Sequence, residues 1–417
     1  MSRLPSQTTS YKFPLEKGRQ SMLTLPDPDK PTLLCLSHLR WNFVYQRPQH
    51  LMSRFAKNFQ VLFFEEPVPS EGKTTWLEVI LTPEGVRLLI PHLLAQHIGK
   101  PKGTALLRGL LDRYLMIADA NPILWYYTPM SLAYTSHINA SMIIYDCMDE
   151  LSAFAAAPPQ LIDYERALFK KVDIVFTGGY SLYESKSRQH PHVYPIPSSV
   201  DIAHFGVARQ ANPQPPDQIN LPGPKIGFYG VIDERIDLDL IRSIATVRPD
   251  WQVIMLGPVL KIDPQSLPRL PNIHYLGPKT YDALPMYLSG WDVAFMPFAI
   301  NRSTQYISPT KTPEYLAGGR PVVSTAIRDV VRMYGKSELV LIAEDSKTFV
   351  AAIETALKMM QTPSVVSAKA DQILYGMSWD KTWQKMNTLM EQKLQPNAAM
   401  TAVSRVVHDS AVIPLSV

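Results

Sequence analysis

The stretch SPTKTPEYLAGGRPVVST, residues 308–325, places a lysine and a glutamate three positions apart, ahead of a Gly-Gly pair and a β-branched run. Its opening Ser-Pro predicts an N-cap and a first helical position, and the glycines predict an end, so we expect a helix over residues 309–317. The free N–H groups of such a first turn, together with Lys311, suit a phosphate. Glu314 lies one turn later and can accept hydrogen bonds from a diol such as ribose. The alternative is an exposed ion pair between Lys311 and Glu314.

Polar and charged side chains also follow two strand-like runs in the first half of the chain. Asp146 and Asp149 follow the run SMIIY, and a second group follows PTLLCLSHL: His38, Arg40, Gln46, Arg47 and His50. Strands of a parallel sheet share one carboxyl edge, so we expect both groups to face the same cleft. Asp146, Asp149 and His38 are the candidates for a catalytic base, and the candidates for binding an acceptor are Arg40, Arg47 and His50. Alternatively, the aspartates are helix caps or turn formers, and His50 is a packed residue.

The elements that would position these residues alternate between strand and helix. Apolar runs at 31–39 and 60–67 flank a helical segment at 47–59, which is a β-α-β opening. We therefore predict an α/β architecture of two doubly wound, Rossmann-like domains that face each other across a cleft. The predicted divisions are a disordered tail at 1–30, an N-terminal domain at 31–205, a linker at 206–223, a C-terminal domain at 224–378, a helix at 379–394 and a disordered tail at 395–417.

Composition limits the class of protein. The 417 residues are 46% hydrophobic and carry a net charge of +4, which is too mild to indicate nucleic-acid binding. Cys35 and Cys147 lie in apolar runs, as expected for buried free thiols in a reducing compartment. The first 20 residues contain no apolar signal-peptide region, and no run reaches the roughly 18 apolar residues of a spanning helix, so we expect a cytoplasmic protein. The basic amphipathic segment 85–115 either touches anionic lipid at the inner face of the plasma membrane or forms core helices.

Residues 308–325 resemble the donor-site segment of GT-B glycosyltransferases, especially the family-4-like enzymes (glycosyl transferases group 1) of bacterial polysaccharide and teichuronic-acid-type assembly. The likeness covers about residues 32–392, with its segments in the expected order. They include LLCLSHLRWNFVYQRPQHLMSRFA, IIYDCMDELSAF, SSVDIAHF, IGFYGVIDERIDLDLI, WQVIMLGP, NIHYLGPKTYDALPMYL and DVAFMPF. The resemblance implies a GT-B fold and transfer of a sugar from a nucleotide-sugar donor to a saccharide or lipid-linked acceptor.

The same resemblance implies roles for the residues around the opening stretch. Glu314 would bind the ribose hydroxyls of the donor. Lys311, with the backbone amides near Pro309 and Thr310, would face the diphosphate. Catalysis in such enzymes rests on positioning and on electrostatic support of the leaving diphosphate, so we expect no cofactor and no metal.

Further donor-binding roles fall on residues at strand ends. Gly230 would let the backbone approach the phosphates closely. Arg235 matches a basic position that contacts the diphosphate, although it could be a surface arginine. Gly257 and Gly277 lie where the nucleobase packs, although both could be ordinary strand-end turns.

The sequence departs from the family pattern in front of Glu314. Family members often carry a second glutamate eight residues earlier, where this chain has Tyr306. The loop NRSTQYISP offers substitutes in Asn301, Arg302 and Thr304, of which Thr304 is our candidate for donor binding. Pro313 is a second departure, because a proline deep in a helix removes a hydrogen bond; the helix would start at Thr312 or bend.

One pair of acidic residues and the missing glutamate leave other functions open. Asp237 and Asp239 form a D-x-D, a metal-binding motif elsewhere, but they open a predicted helix where aspartate is favoured by the helix dipole. The missing glutamate leaves a degenerate GT-B protein, which binds nucleotide sugar or scaffolds an assembly complex, as the main alternative. A GT-B epimerase, which needs no acceptor, is a third reading.

Overall fold

A computed structural model describes residues 10–14, 30–118, 121–155, 157–210 and 213–409. The first half of the chain forms a ten-stranded sheet. Its strands are β1 (Ser10–Pro14), β2 (Thr32–Leu36), β3 (Gln60–Phe64), β4 (Val68–Pro69), β5 (Trp76–Leu81), β6 (Arg87–Leu93), β7 (Ile123–Tyr126), β8 (Met142–Cys147), β9 (Ile174–Thr177) and β10 (Val193–Pro195). Its order is β1-β5-β6-β3-β2-β7-β8-β9-β10, with β4 beside β6.

The second half forms a six-stranded sheet in the order β13-β12-β11-β14-β15-β16, and all its pairings are parallel. The strands are β11 (Lys225–Tyr229), β12 (Gln252–Leu256), β13 (Ile273–Gly277), β14 (Val293–Met296), β15 (Val322–Ser324) and β16 (Val340–Ile342). This result confirms the predicted α/β class with two doubly wound sheets.

Helices accompany both sheets. In the first half they are α1 (Arg47–Phe55), α2 (Pro101–Ala118), α3 (Leu132–Thr135), α4 (Leu161–Phe169), α5 (Tyr180–Lys186) and α6 (Ile202–Gly206). In the second half they are α7 (Pro216–Ile219), α8 (Leu238–Val247), α9 (Leu284–Ser289), α10 (Lys311–Ala317), α11 (Arg328–Tyr334), α12 (Ser346–Met359), α13 (Pro363–Ile373) and α14 (Trp379–Asp409).

The central strands are apolar throughout because both faces of the first sheet are covered. Successive residues of β2 belong to different cores: Leu34 packs with the cluster that contains α2, and Cys35 packs with the cluster that contains α1. Cys35 and Cys147 are buried free thiols, as predicted.

Several predicted boundaries are wrong at the chain ends. Residues 10–14 form a strand that pairs antiparallel with β5, where a disordered tail was predicted. The last helix continues to Asp409 instead of ending at residue 394. The other residues of the two predicted tails lie outside the described ranges. The segment 85–115 also differs from a purely helical region, because β6 occupies its start.

The chain enters the second core before the predicted linker. Val200, Phe205 and Ala208 are buried in the core of the second sheet, since their apolar side chains fill space beside it. Within the predicted linker, the fully buried Gln218 donates a hydrogen bond to the carbonyl of Tyr287 at 2.9 Å. The predicted linker is therefore packed against the second domain and is not a free connection.

The last helix returns to the first domain. Trp379, Met386 and Met390 of α14 are buried in the core beneath α1, and Asp380 accepts two hydrogen bonds from the guanidinium of Arg54. Helix α14, which follows the second domain in the chain, therefore packs against the first domain.

A polar seam joins the domains beside the cleft. One carboxylate oxygen of Asp329 in α11 accepts hydrogen bonds from the backbone N–H of Ser181 at 3.0 Å and from its hydroxyl at 2.5 Å. A Cβ on Gly179 would lie 2.6 Å from the Cβ of Ser308, so the two domains are in close backbone contact here.

No helix in the described ranges is both long enough and apolar enough to span a membrane. The apolar side of α2 is buried, because Leu107, Leu110, Leu111 and Tyr114 pack into the first core.

Candidate functional site

A pocket lies between the two sheets at the carboxyl ends of their strands, where parallel α/β sheets place ligands. Both domains line it. The first domain contributes Gln46, Arg47, Met148, Asp149 and Ser198, and the second contributes Phe228, Gly230, Val231, Arg235, Phe298, Ile307, Ser308, Pro309, Thr310 and Lys311.

The helix of the opening stretch begins later than predicted. Its N-cap is Thr310 rather than Ser308, and α10 covers Lys311–Ala317. Pro313 is therefore the third helical residue, where the backbone N–H would have no partner inside the helix, so the proline removes no hydrogen bond. The first bond of the helix runs from the N–H of Glu314 to the carbonyl of Thr310 at 3.3 Å. Gly319 supplies the left-handed end with φ of 72°.

Lys311 is half-buried at the edge of the pocket. Within the described chain its ammonium contacts only the hydroxyl of Thr310, at 3.4 Å, and no carboxylate lies within ion-pair distance. The alternative of a Lys311–Glu314 ion pair is therefore wrong. Burial lowers the pKa of Lys311, opposed by the charges of Glu314 and Asp149. A positive charge held in a cleft without a counter-ion is suited to an anion.

Glu314 is also half-buried and is held by the neighbouring strand. The phenol of Tyr229, at the end of β11, donates a hydrogen bond to its carboxylate at 2.9 Å. Burial raises the pKa of Glu314, while Lys311 and that hydrogen bond favour the charged form. The hydroxyl of Thr310 is a second hydrogen-bonding partner of this carboxylate. Each carboxylate oxygen has two lone pairs, so the group can still accept a hydrogen bond from a ligand hydroxyl.

Glycines bring backbone close to the ammonium. Gly230 has φ of 150°, and a Cβ there would lie 3.2 Å from Cε of Lys311. Gly257 has φ of 138°, and its Cβ would lie only 1.8 Å from the carbonyl oxygen of Gly230. Both positions therefore require glycine. Gly277 also has a positive φ, 73°, and its carbonyl accepts the N–H of Gly257 at 2.9 Å.

Arg235 is half-buried at the pocket wall, so the surface alternative is not met. Its guanidinium donates two hydrogen bonds to the carboxylate of Asp233, with the shortest contact at 2.7 Å. This pairing fixes one side of the guanidinium and leaves an N–H of Nη1 without a partner in the described chain.

The loop before α10 uses its polar side chains internally. The carboxamide oxygen of Asn301 accepts the N–H groups of Ser303 and Thr304, and the hydroxyl of Thr304 donates to the carbonyl of Ala299 at 2.5 Å. Thr304 is 2% exposed and does not line the pocket, so its predicted donor contact is contradicted. Arg302 is exposed, and Tyr306 packs against the first domain's core.

The first-domain residues Arg47 and Asp146 satisfy each other. Asp146 is fully buried and accepts hydrogen bonds from Nε and Nη2 of Arg47, while Nη1 donates to the carbonyl of Ile196 at 2.7 Å. The prediction that Asp146 is a base is contradicted, because this fully buried carboxylate accepts hydrogen bonds from Arg47 on both oxygens and does not line the pocket. The acceptor role of Arg47 stays a prediction, because the residue lines the pocket although Asp146 and Ile196 hold its guanidinium. The pair instead fixes α1 to β8.

Asp149 is the first-domain carboxylate that faces the pocket. It is half-buried, and its carboxylate has no hydrogen-bond donor in the described chain. Burial raises its pKa, while the charges of Arg235 and Lys311 oppose that rise. A carboxylate with a raised pKa beside two cations is suited to accept a proton.

The three remaining first-domain candidates, His38, Arg40 and His50, have different surroundings. Burial and the charge of Lys261 lower the pKa of His38 to about 4, and its buried Nδ1 has no hydrogen-bond partner. Arg40 donates to the carboxylate of Glu65 at 3.1 Å and to the carbonyl of Pro67, and it does not line the pocket, so its acceptor contact stays a prediction.

His50 has a packed role, which was the alternative. It is 5% exposed and stacks on Trp379 with ring centroids 4.5 Å apart. Its predicted acceptor contact is contradicted, because Tyr45 and Tyr281 cover its edges.

Asp237 and Asp239, the acidic D-x-D, lie at the start of α8 and stabilise it. Asp237 caps the helix by accepting the N–H of Leu240 at 2.8 Å, and Asp239 pairs with Arg242. The two carboxylates have separate partners, which is the predicted helix-start role.

Sequence reasoning missed Met148, Ser198, Val231 and Phe298 as pocket residues. Each follows a recognised strand by one or a few residues, and that position was the available signal. Their side chains carry no charge, so residue type did not mark them.

Comparison with known proteins agrees with this geometry. Residues 223–359 match the family model Glycosyl transferases group 1. The chain is 29% identical over 249 residues, 54% of its length, to the Bacillus subtilis protein named "Putative teichuronic acid biosynthesis glycosyltransferase TuaH". The match spans 62% of that relative, which is less than two thirds of it.

Solved structures show the same fold over most of the chain. Sucrose-phosphate synthase from Thermosynechococcus elongatus superposes with a TM-score of 0.66 at 15% identity, over 87% of this chain and 99% of that one. Anabaena Alr3699/HepE in complex with UDP and glucose gives 0.63 at 12% identity, over 86% and 99%. Residues 223–359 thus match the family model Glycosyl transferases group 1, and the chain that carries them has the GT-B fold of these solved structures.

Proposed function

We propose that this protein is a glycosyltransferase that moves a sugar from a nucleotide-sugar donor to a saccharide or lipid-linked acceptor in cell-surface polysaccharide biosynthesis. The observation that carries the proposal is the unpaired ammonium of Lys311 in the interdomain pocket, beside backbone that only glycine allows at Gly230. The relative from Bacillus subtilis is named for this kind of activity, and solved neighbours contain UDP or a UDP-sugar analogue.

In the proposed arrangement the donor diphosphate lies against Lys311, Arg235 and the backbone of Pro309 and Thr310. The carboxylate of Glu314 accepts hydrogen bonds from the ribose. The base packs near Gly257 and Gly277. Charge that develops on the leaving diphosphate is stabilised by cations already in place, which is the form of catalysis that needs least reorganisation.

On the acceptor side we propose Asp149 as the group that accepts the proton of the attacking hydroxyl. Its carboxylate is free and its pKa is raised. With a pKa of about 4, His38 is neutral at pH 7 but is a weaker base than an unperturbed histidine, and it does not line the pocket, so we favour Asp149 over it.

The test is a panel of UDP-, GDP- and dTDP-sugars, scored for nucleotide release with and without an acceptor extract. Transfer predicts release that increases with acceptor. Release of free nucleotide and an isomerised sugar without acceptor would instead indicate an epimerase. Asp149→Asn should abolish acceptor-dependent release while leaving nucleotide binding intact.

A binding or scaffolding protein without turnover is the second candidate function. The observation in its favour is the loop before α10, which places Tyr306 against the first domain and consumes Asn301 and Thr304 in its own turn. Nucleotide-sugar binding without release in any acceptor extract would favour this candidate.

We further propose a cytoplasmic protein that contacts the inner face of the plasma membrane through a basic edge. Because the apolar side of α2 is buried, the contact would be electrostatic and would use the exposed Lys100, Lys102 and Arg108, with the half-buried Arg113 beside them. Flotation with liposomes should show binding only with anionic lipid, and replacing the two lysines by glutamate should remove it. Equal flotation with neutral lipid, or none with anionic lipid, would contradict the contact.

A further inference from the structure

A short loop of the first domain, residues 148–154, reaches across the cleft to the donor domain. Its base is held by a buried ion network. Lys186 is 2% exposed and lies 2.8 Å from a carboxylate oxygen of Glu150 and 2.8 Å from Glu165. The hydroxyl of Ser152 donates to the other oxygen of Glu150 at 2.8 Å. Glu150 is thus fixed to the first domain's core, one residue after Asp149.

At the tip of this loop, the ring of Phe154 lies close to two cations of the other domain. The guanidinium carbon of Arg235 is 5.5 Å from the ring centroid, and the ammonium of Lys261 is also 5.5 Å from it. Both distances are within the range of a cation–π interaction. Phe154 is half-buried and belongs to none of the hydrophobic cores of the described residues.

Arg235 therefore has partners from both domains. Asp233 of its own domain holds the Nε and Nη2 side of the guanidinium, and Phe154 of the first domain covers it. The aromatic contact exists only when the two domains stand as they do here.

We infer that Phe154 is a positioning residue that holds Arg235 against the diphosphate of the donor. The inference rests on the proposed function, because it needs a diphosphate ligand at this pocket. It makes the first domain a contributor to donor binding through a side chain that does not touch the donor. The physical reason is that a guanidinium restrained in advance loses less conformational entropy when it binds.

The test compares Phe154→Leu, which removes the ring, with Phe154→Tyr, which keeps it. The probes are UDP, GDP, dTDP and ADP with their nucleosides, and titration calorimetry is run on the nucleotide that wild type binds most tightly. Phe154→Leu should weaken nucleotide binding about three- to tenfold and leave nucleoside binding unchanged, since it removes the ring whose cation–π contact restrains the guanidinium of Arg235. Phe154→Tyr should stay within about twofold of wild type for both probes.

A double-mutant cycle with Arg235→Ala separates positioning from general loosening of the fold. In the Arg235→Ala background, Phe154→Leu should have no further effect on nucleotide affinity. Tyr375→Leu, which changes a side chain that is 90% exposed, is the surface control and should match wild type.

The outcomes are distinct. If wild type binds none of the four nucleotides, the proposed function fails and the inference fails with it. If wild type binds but Phe154→Leu binds equally well, or loses nucleoside and nucleotide affinity alike, or still acts in the Arg235→Ala background, then only the inference is overturned.

Discussion

On the donor-domain wall of the cleft, Lys311 faces the pocket without a carboxylate partner, whereas on the opposite wall Arg47 is closed against Asp146. Both are cations that follow a strand of a parallel sheet, and sequence position gave both a ligand-binding role. The difference lies in what stands opposite each. A buried carboxylate faces Arg47, while glycine backbone faces Lys311. A cation at a strand end therefore indicates a binding site only when the fold leaves it unpaired.

The largest effect should be on stability and should come from breaking the Arg47–Asp146 pair in the first domain. Arg47→Met leaves Asp146 as a buried charge without a partner, which we expect to lower the free energy of unfolding by about 3–5 kcal/mol. Urea denaturation measures the loss. Arg166→Met, which breaks an exposed pair with Asp163, should cost less than about 1 kcal/mol. Equal stability of the two variants would mean that the Arg47–Asp146 pair is solvated in solution.

Removing the positive charge of Lys311 from the donor domain should weaken ligand binding instead of stability. Lys311→Met should weaken binding of the donor nucleotide by about 1.5–3 kcal/mol, the value of a charge-assisted hydrogen bond. Nucleoside affinity should not change, because the ammonium faces the diphosphate. Calorimetry with the nucleotide and with its nucleoside measures the two affinities. The exposed Lys347 of α12 provides the matched control, Lys347→Met. Loss of nucleoside affinity in Lys311→Met would contradict the diphosphate assignment.

Glu314 lies in the same helix as Lys311, and its replacement should affect nucleotide and nucleoside binding alike. Glu314→Ala should weaken binding of both nucleotide and nucleoside by about 1–3 kcal/mol, since the ribose is common to both. Tyr229→Phe keeps the carboxylate of Glu314 and removes the hydrogen bond that the phenol donates to it. This variant should therefore bind nucleotide and nucleoside nearly as wild type does. Unchanged affinity in Glu314→Ala would end the ribose assignment.

The smallest effect, when it is counted per pH unit, concerns His50 in the first domain. Burial, with the charges of Arg54 and His204, lowers its pKa from 6.5 to about 3. The unfolded chain therefore takes up a proton that the folded chain excludes, and stability should fall as pH drops from about 6.5 toward 3, by at most about 1.4 kcal/mol per pH unit. His50→Phe should reduce this slope between pH 7 and 4, measured by urea denaturation. An unchanged slope would show that His50 is protonated in the folded protein.

Much of the architecture was readable from periodicity. Alternating apolar runs and helical segments predicted both parallel sheets, because buried parallel strands must be apolar on both faces. The antiparallel β5–β6 pair was missed, since Trp76–Leu81 and Arg87–Leu93 mix polar with apolar residues. Chain-end boundaries were missed because β1 forms only by pairing with β5.

In the candidate site, the sequence located Lys311, Glu314 and Gly230 by local pattern alone. The helix start was misplaced by two residues because Ser308-Pro309 and Thr310 offer competing caps. Phe154 carried no signal as a site residue. Its relevance depends on Arg235 and Lys261, which are 81 and 107 positions later (235 − 154 and 261 − 154).

Local order along the chain was thus sufficient for the fold class, the ends of the strands and the residue types that meet at the cleft, because these depend on periodicity and on short-range turn chemistry. The folded chain was needed to choose partners. Asp146 and Asp149 lie three residues apart, one inside β8 and one just after it. Asp146 is paired with Arg47, whereas Asp149 lies near Lys311 and Arg235. That choice depends on side chains about 90 to 160 residues away, and the energy of a charge depends on which of them stands next to it.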